Sequence, residues 1–277
     1  MDTSTGQVRV TSKIAGIEGY TVIDTGANVD SLNRSFVTKH NLELRKIGRR
    51  IPIRSTVKRY YATRYEPIQA DLFGSTLEIK SVLDIDLGSP ELQMQLSDSL
   101  LRHFIFQFDY PRQRLRLLSR DALNMRKVKN VRSKSEDDSG LPLVKVRLND
   151  EVNAWLILDT AMSGGILLDR KVVRRTSWLE EFTVTAGRVS SVGREGKTER
   201  FQLPTIKFGP YDLGGVEVVT QAHGEDWNLF ETELQTGSHF RRKREADGII
   251  GHQVLKHFVV SLDYRGGHVH IGTKADS

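Results

Sequence analysis

The sequence predicts a mainly β protein made of two related lobes, each carrying one or two short helices. Three observations point there: period-two patterning along most of the chain, an internal repeat, and an Asp-Thr dipeptide at the same place in each copy.

The patterning comes first. VRV, YTVID, LEIKSVLDID and FIFQFDY in the first half are β-branched or aromatic runs, as are LVKVRL, AWLILD, GVEVV and FVVSLDY in the second. Most end at Gly, Asn, Asp or Pro, which favour turns. NRSFVTKHN and DRKVVRRTS have the Asn or Asp cap and the apolar spacing of short helices, and DSLLRHF and GHQVLKHF each suit one helix.

The repeat is the stronger signal. Residues 94–117 (MQLSDSLLRHFIFQFDYPRQRLRL) align without a gap on residues 248–271 (GIIGHQVLKHFVVSLDYRGGHVHI). Leu101 then falls on Leu255, His103 on His257, Phe104 on Phe258, Asp109 on Asp263 and Tyr110 on Tyr264. Upstream, VRVTSKIAGIEGYTVIDTGAN and VKVRLNDEVNAWLILDTAMSG align with single-residue shifts. Asp24 and Asp109 are 85 positions apart, Asp159 and Asp263 are 104 apart, and the polar stretch 221–247 accounts for much of that excess. Between the copies, residues 121–140 are charged and read as a surface linker with one helical turn at their start. The division expected is a lobe over residues 1–125, a linker over 126–140 and a lobe over 141–277.

A lone Asp-Thr-Gly says little. Two Asp-Thr sites in register within a repeat say more, because each follows an apolar strand and precedes a small-residue turn. Two carboxyl groups held about 3 Å apart cannot both ionise, so they share one proton. The ionised partner can activate a water while the protonated one donates to a scissile carbonyl. Such chemistry needs no metal and no covalent intermediate.

On these residues the chain resembles the retropepsin-like aspartic peptidases. DTGA follows an apolar pair, and an apolar-apolar-Gly motif and an "FDY" strand lie downstream. It is especially similar to bacterial two-lobed members, through DGIIGHQVLKHFVVSLDY, and the resemblance covers roughly residues 7–120 and 141–273. It implies two retropepsin-like β-barrel lobes in a pepsin-like arrangement, closing one site in a monomer with pseudo-two-fold symmetry. It implies Asp24 and Asp159 as the catalytic pair, with Thr25, Gly26, Thr160 and Ala161 supporting the two turns. Thr25 and Thr160 would lock those turns at the lobe interface. Ala27, Asn28 and Ser163 would line the substrate cleft. A flap hairpin would lie near Thr56–Arg64, bringing Tyr60 or Tyr61 over the substrate. In the second half, residues 190–200 would form the matching hairpin, with Gly193 and Gly196 at its turn. The implied activity is endopeptidase cleavage of an extended peptide, without a cofactor. Two departures stand out: Ala161 replaces the family glycine in the second turn, and Ser97 stands where the second copy has Gly251. They motivate a second reading, a degenerate module that binds peptides without cutting them.

Other patterns exclude more than they suggest. The chain of 277 residues has no cysteine, which removes disulfides, thiolate nucleophiles and Cys-type zinc sites. No run approaches the ~18 apolar residues of a membrane span. MDTSTGQVRV is polar and carries no signal peptide as written. A soluble protein is expected, cytoplasmic if Met1 is the native start and periplasmic if a leader was removed. The net charge of +6 is weak support for nucleic-acid binding, and the basic runs 44–50 and 241–245 fit solvated loops. His268 and His270 could in principle hold zinc, but they align with Arg114 and Arg116, as a solvent-facing edge would. His103 and His257 read as helix-surface or packing residues, and Asp109 and Asp263 as turn formers. Trp155 and Trp178 are expected in the second lobe's core or against its helices.

Overall fold

The computed structural model describes residues 1–54, 59–136, 139–191, 194–225 and 246–276. The first half supplies β1 (Arg9–Ile14), β2 (Ile17–Ile23), β3 (Asp30–Asn33), helix α1 (Arg34–Lys39) and the hairpin β4 (Lys46–Arg54) and β5 (Arg59–Tyr65). It continues through β6 (Ile68–Leu72), β7 (Ser75–Ile79), β8 (Val82–Ile85) and β9 (Leu92–Leu96) to α2 (Asp98–Leu101). Strands β10 (Ile105–Asp109) and β11 (Arg114–Leu118) precede α3 (Met125–Val128) and β12 (Ser133–Ser135). The second half follows with β13 (Pro142–Leu148), β14 (Val152–Leu158), β15 (Ile166–Leu168), α4 (Arg170–Val173) and α5 (Trp178–Glu181). Then come β16 (Thr185–Ser191), β17 (Arg194–Phe208), β18 (Tyr211–Gln221) and β19 (Gly248–Ile250). Helix α6 (His252–Leu255), β20 (Val259–Asp263) and β21 (His268–Gly272) complete the order.

The fold is mainly β, and the two halves share a pairing plan. In the first, β2 runs parallel to β9, which pairs antiparallel with β3, itself parallel to β8. In the second, β14 runs parallel to β19, which pairs antiparallel with β15, itself parallel to β18. Pairing of β13 with β17 closes β13-β14-β19-β15-β18-β17 into a six-stranded barrel. In the first half the matching job falls to shorter pieces: β5 and β6 divide at Glu66-Pro67, and β7 and β8 at Lys80-Ser81. Proline has no amide to give the ladder, so the chain turns there. The second half keeps Pro204 inside β17 by leaving it out of the register opposite Gly215, whose φ of 63° only glycine adopts freely. The run LEIKSVLDID, read as one strand, is therefore two.

The ends of the halves meet in one sheet of order β11-β10-β20-β21. Phe106 pairs with Leu262 and Phe108 with Val260, so the repeat motifs of the two copies lie antiparallel and adjacent. Arg114, Arg116, His268 and His270 sit on its two edge strands, as the alignment suggests. One apolar cluster, including Phe106, Phe108, Leu143, Leu158, Phe258 and Leu262, runs through both halves.

The short helices begin where their caps predict. The Asn33 side chain accepts from the Ser35 amide, and that of Asp169 from the Lys171 amide. The linker differs from expectation. Ser133–Ser135 pair with β13, Met125 and Val131 are buried, and the Asn130 side chain bonds both the amide and the carbonyl of Ile271. Apolar residues spaced through a charged stretch anchor it to the second half. Trp178 is fully buried, whereas Trp155 is half-buried beneath Arg132 and Lys134, which lie over its ring. His103 and His257 are exposed.

Candidate active site

Each aspartate sits just past an apolar strand whose parallel neighbour fixes its exit. The Asp24 amide donates to the Leu96 carbonyl at 2.9 Å and the Asp159 amide to that of Ile250 at 3.0 Å. Both strands therefore deliver an Asp-Thr turn to the seam between the halves.

There the two threonines bond across the seam. The Thr25 amide donates to Thr160 Oγ1 and the Thr160 amide to Thr25 Oγ1, both at 3.1 Å. Thr25 Oγ1 donates to the Leu158 carbonyl and Thr160 Oγ1 to that of Ile23, both at 2.6 Å. Both threonines are buried, at 0% and 1% exposure. Each hydroxyl accepts one bond and donates one, so neither buried group is left unpaired.

This arrangement brings the Asp24 and Asp159 carboxyl groups together as hydrogen-bond partners. The Gly26 amide donates to Asp24 Oδ1 at 2.7 Å, and the Ala161 and Met162 amides to Asp159 Oδ1 at 2.7 and 3.0 Å. Burial raises both carboxyl groups above the usual aspartate range, and the neighbouring Asp159 charge pushes Asp24 up further. Asp159 is held down by its two amide donors and by Asp24. The two carboxyls therefore titrate as one coupled pair.

The two turns are not interchangeable. A Cβ on Gly26 would lie 2.5 Å from Cγ and Oδ2 of Asp159, so the first turn needs glycine to admit the second carboxyl. Ala161 keeps its amide on Asp159, so the departure seen in the sequence leaves that bond intact. The Ser97 departure has its own compensation. The Gly251 amide donates to the Gly165 carbonyl, whereas the Ser97 amide donates to the Asp30 side chain at 2.8 Å. Asp30 opens β3 and Gly165 lies just before β15, so a side-chain oxygen takes over the work of a backbone oxygen. A Cβ on Gly251 would meet the Met162 carbonyl at 2.6 Å, which explains why serine is confined to the first half.

The expected cleft residues fall around this centre unequally. Ala27 is half-buried, its amide turned to Asp24 and its carbonyl accepting from the Tyr264 hydroxyl at 3.2 Å. Asn28 is exposed beside it. Ser163 is also exposed, but it abuts the N-terminal segment, where a Cβ on Gly6 would lie 2.6 Å from its own.

Strands β4 and β5 form the hairpin expected as a flap; residues 55–58 at its turn lie outside the described residues. Ile51, Ile53 and Ala62 pack with Val29, Leu83, Ile85 and Leu87 in a small cluster separate from the main core. Val29 follows the Asp24 turn, so the hairpin is rooted on that loop. Tyr60 pairs with Ile53, and the Tyr60 side chain is outside the described residues. Tyr61, paired with Pro52, is 60% exposed. It lies in strand register one position off the packed row Ile51–Ala62, which turns it away from Val29. In the second hairpin Gly193 lies outside the described residues, while Gly196 pairs with Val189 inside the ladder and is not at the turn. The basic run 241–245 is likewise outside the described residues.

Sequence reasoning did not single out Tyr264, Tyr110, Asp30 or Met162. The tyrosines recur in the repeat, which was a usable signal, but the neighbouring Asp109 and Asp263 drew the reading towards turns. Those carboxylates do cap turns: Asp109 accepts from the Arg112 amide and Asp263 from that of Gly266.

Residues 144–254 match the family model described as aspartyl protease. The match lies within the second half and supports an aspartic protease family. The matched stretch holds Asp159, the β16–β17 hairpin and the Gly248–Gly251 segment, which are the parts that the pairing plan repeats around Asp24. No curated protein matches the sequence. Among the described residues no group of three or more metal-binding side chains forms, and no helix is long and apolar enough to cross a membrane.

Proposed function

We propose that this protein is a single-chain aspartic endopeptidase whose two halves, of common origin, each donate one aspartate. The observation that carries the reading is the hydrogen-bonded Asp24–Asp159 pair, held at the centre of the reciprocal Thr25–Thr160 bonds. An extended peptide lies between the halves, beneath the β4–β5 hairpin. Ionised Asp159 takes a proton from a water as the water oxygen attacks the scissile carbonyl carbon. Asp24 gives its proton to the carbonyl oxygen. Asp159 then returns its proton to the amide nitrogen as the C–N bond breaks, and Asp24 recovers its own from the diol. Ala161 and Ser97, which suggested a silent binding module, retain the amide bonds of their turns, and this favours the catalytic reading.

Digestion of a peptide library across pH 3–7 tests it. Wild-type protein should cut and pepstatin should block it, while Asp24→Asn and Asp159→Asn should fold normally and lose at least about 10³-fold in kcat, as loss of a group central to proton transfer does. Peptide binding without cleavage at any pH would replace this reading with the binding module.

A further inference from the structure

We infer that Tyr264 and Tyr110 are cross-lobe positioning residues, each delivered by the Asp-Tyr end of one half to the active-site turn of the other. The inference rests on the peptidase reading and adds two residues to that site. Tyr264 closes β20 in the second half, and its hydroxyl donates to the carbonyl of Ala27 in the first. Ala27's amide faces Asp24, so the tyrosine fixes a peptide unit that holds this carboxyl.

Tyr110 is its repeat partner, from β10 of the first half. Its ring lies 5.6 Å from that of His252, whose amide donates at 2.8 Å to the carbonyl of Met162. Met162 stands at the repeat position of Ala27, and its amide bonds Asp159. The carbonyl that Tyr110 would match by symmetry is therefore already engaged by a backbone amide. Tyr110 is 5% exposed and its hydroxyl has no partner, and the buried His252 Nδ1 has none either. A buried hydroxyl without a partner is costly and marks a site with a reason to keep it. Burial and the Asp159 charge both push the Tyr110 phenol up, so it stays neutral where its ring packs on His252.

The two struts thus differ. Tyr264 is locked on Ala27, whereas the Tyr110 hydroxyl is buried without a partner next to His252, which bonds the Met162 turn. The groups around them are few. His252 faces Tyr110 and is itself held below the usual histidine range by burial and by Lys256 and His257. Arg102 lies 5.5 Å over the Tyr264 ring. Asp109 and Asp263, next in sequence, are paired with Arg112 and Arg120.

The test uses the full chain with Tyr264→Phe and Tyr110→Phe, which keep the rings and remove only the hydroxyls. Tyr264→Phe should lower kcat about five- to tenfold, the value of one hydrogen bond, with KM within about twofold. Tyr110→Phe should move the acid limb of the kcat profile to higher pH, because Asp159 loses a nearby hydroxyl. Thermal midpoints should stay close to wild type. Carbon-13 NMR of the labelled aspartate carboxyls reports the same effect without turnover, as a raised Asp159 midpoint in Tyr110→Phe. Unchanged kcat, profile and carboxyl midpoints in both variants would overturn the inference. Wild-type protein that cleaves nothing would overturn the peptidase reading instead, leaving the carboxyl midpoints to decide the role of the tyrosines.

Discussion

Thr25 and Thr160 each donate a backbone amide to the other's hydroxyl at 3.1 Å, and each hydroxyl donates at 2.6 Å to the carbonyl just before the other's aspartate. The four bonds make the position of either carboxyl depend on both halves. Thr25→Val keeps the shape and removes the hydroxyl, leaving the Thr160 amide and the Leu158 carbonyl buried without partners. About 2–6 kcal/mol of stability should be lost at about 1–3 kcal/mol per orphaned group, together with most turnover. Thr25→Ser should retain both. Urea denaturation followed by tryptophan fluorescence, beside the peptide assay, checks this.

The glycine requirement is one-sided. Gly26→Ala places a methyl 2.5 Å from the Asp159 carboxyl and should abolish cleavage by forcing the pair apart. Ala161→Gly removes a methyl that leaves its amide bond untouched, so kcat should stay within about threefold of wild type, a difference below 1 kcal/mol. Equal losses in the two variants would contradict the asymmetry.

Stability should depend on pH through Asp24. Its folded carboxyl titrates well above the ordinary value because burial and Asp159 oppose its charge. The sign follows: folding favours the protonated form, so the contribution is full below the ordinary aspartate range and is lost as pH rises through the folded value. Asp24→Asn, neutral at every pH, should therefore melt higher than wild type at neutral pH and close to it in acid. Differential scanning calorimetry from pH 3 to 8 reads the crossover. The same shift should carry activity to higher pH than an unperturbed carboxyl would allow.

The β4–β5 hairpin is rooted on a cluster of its own. Ile53→Ala should weaken the seat on Val29 and raise KM several-fold, while the melting point moves little, because the main core does not include this residue. A large drop in the melting point with unchanged KM would show that the hairpin supports the fold and not the substrate.

Much of this was legible in the sequence because the site is written twice. Asp24 and Asp159 stood out through register, not through the Asp-Thr dipeptide itself, and strand periodicity placed them at strand ends. What the sequence concealed depends on long-range geometry. The exchange of Asp30 for the Gly165 carbonyl cannot be seen until Ser97 and Gly251 are superposed in space. Gly196 looked like a turn residue, yet it pairs with Val189 inside the ladder. The reach of Tyr264 to Ala27 crosses 237 positions, and only the shared sheet makes it short. The linker's buried Met125 and Val131 were hidden by the charges around them.

The most direct test of the central claim is a carbon-13 titration of the Asp24 and Asp159 carboxyls in the wild-type chain, assigned with the two Asn variants. One proton shared by the pair predicts coupled curves, with Asp24 keeping its proton well above the ordinary aspartate range and Asp159 shifting when Asp24 is replaced. Two independent curves near the ordinary aspartate value would contradict it.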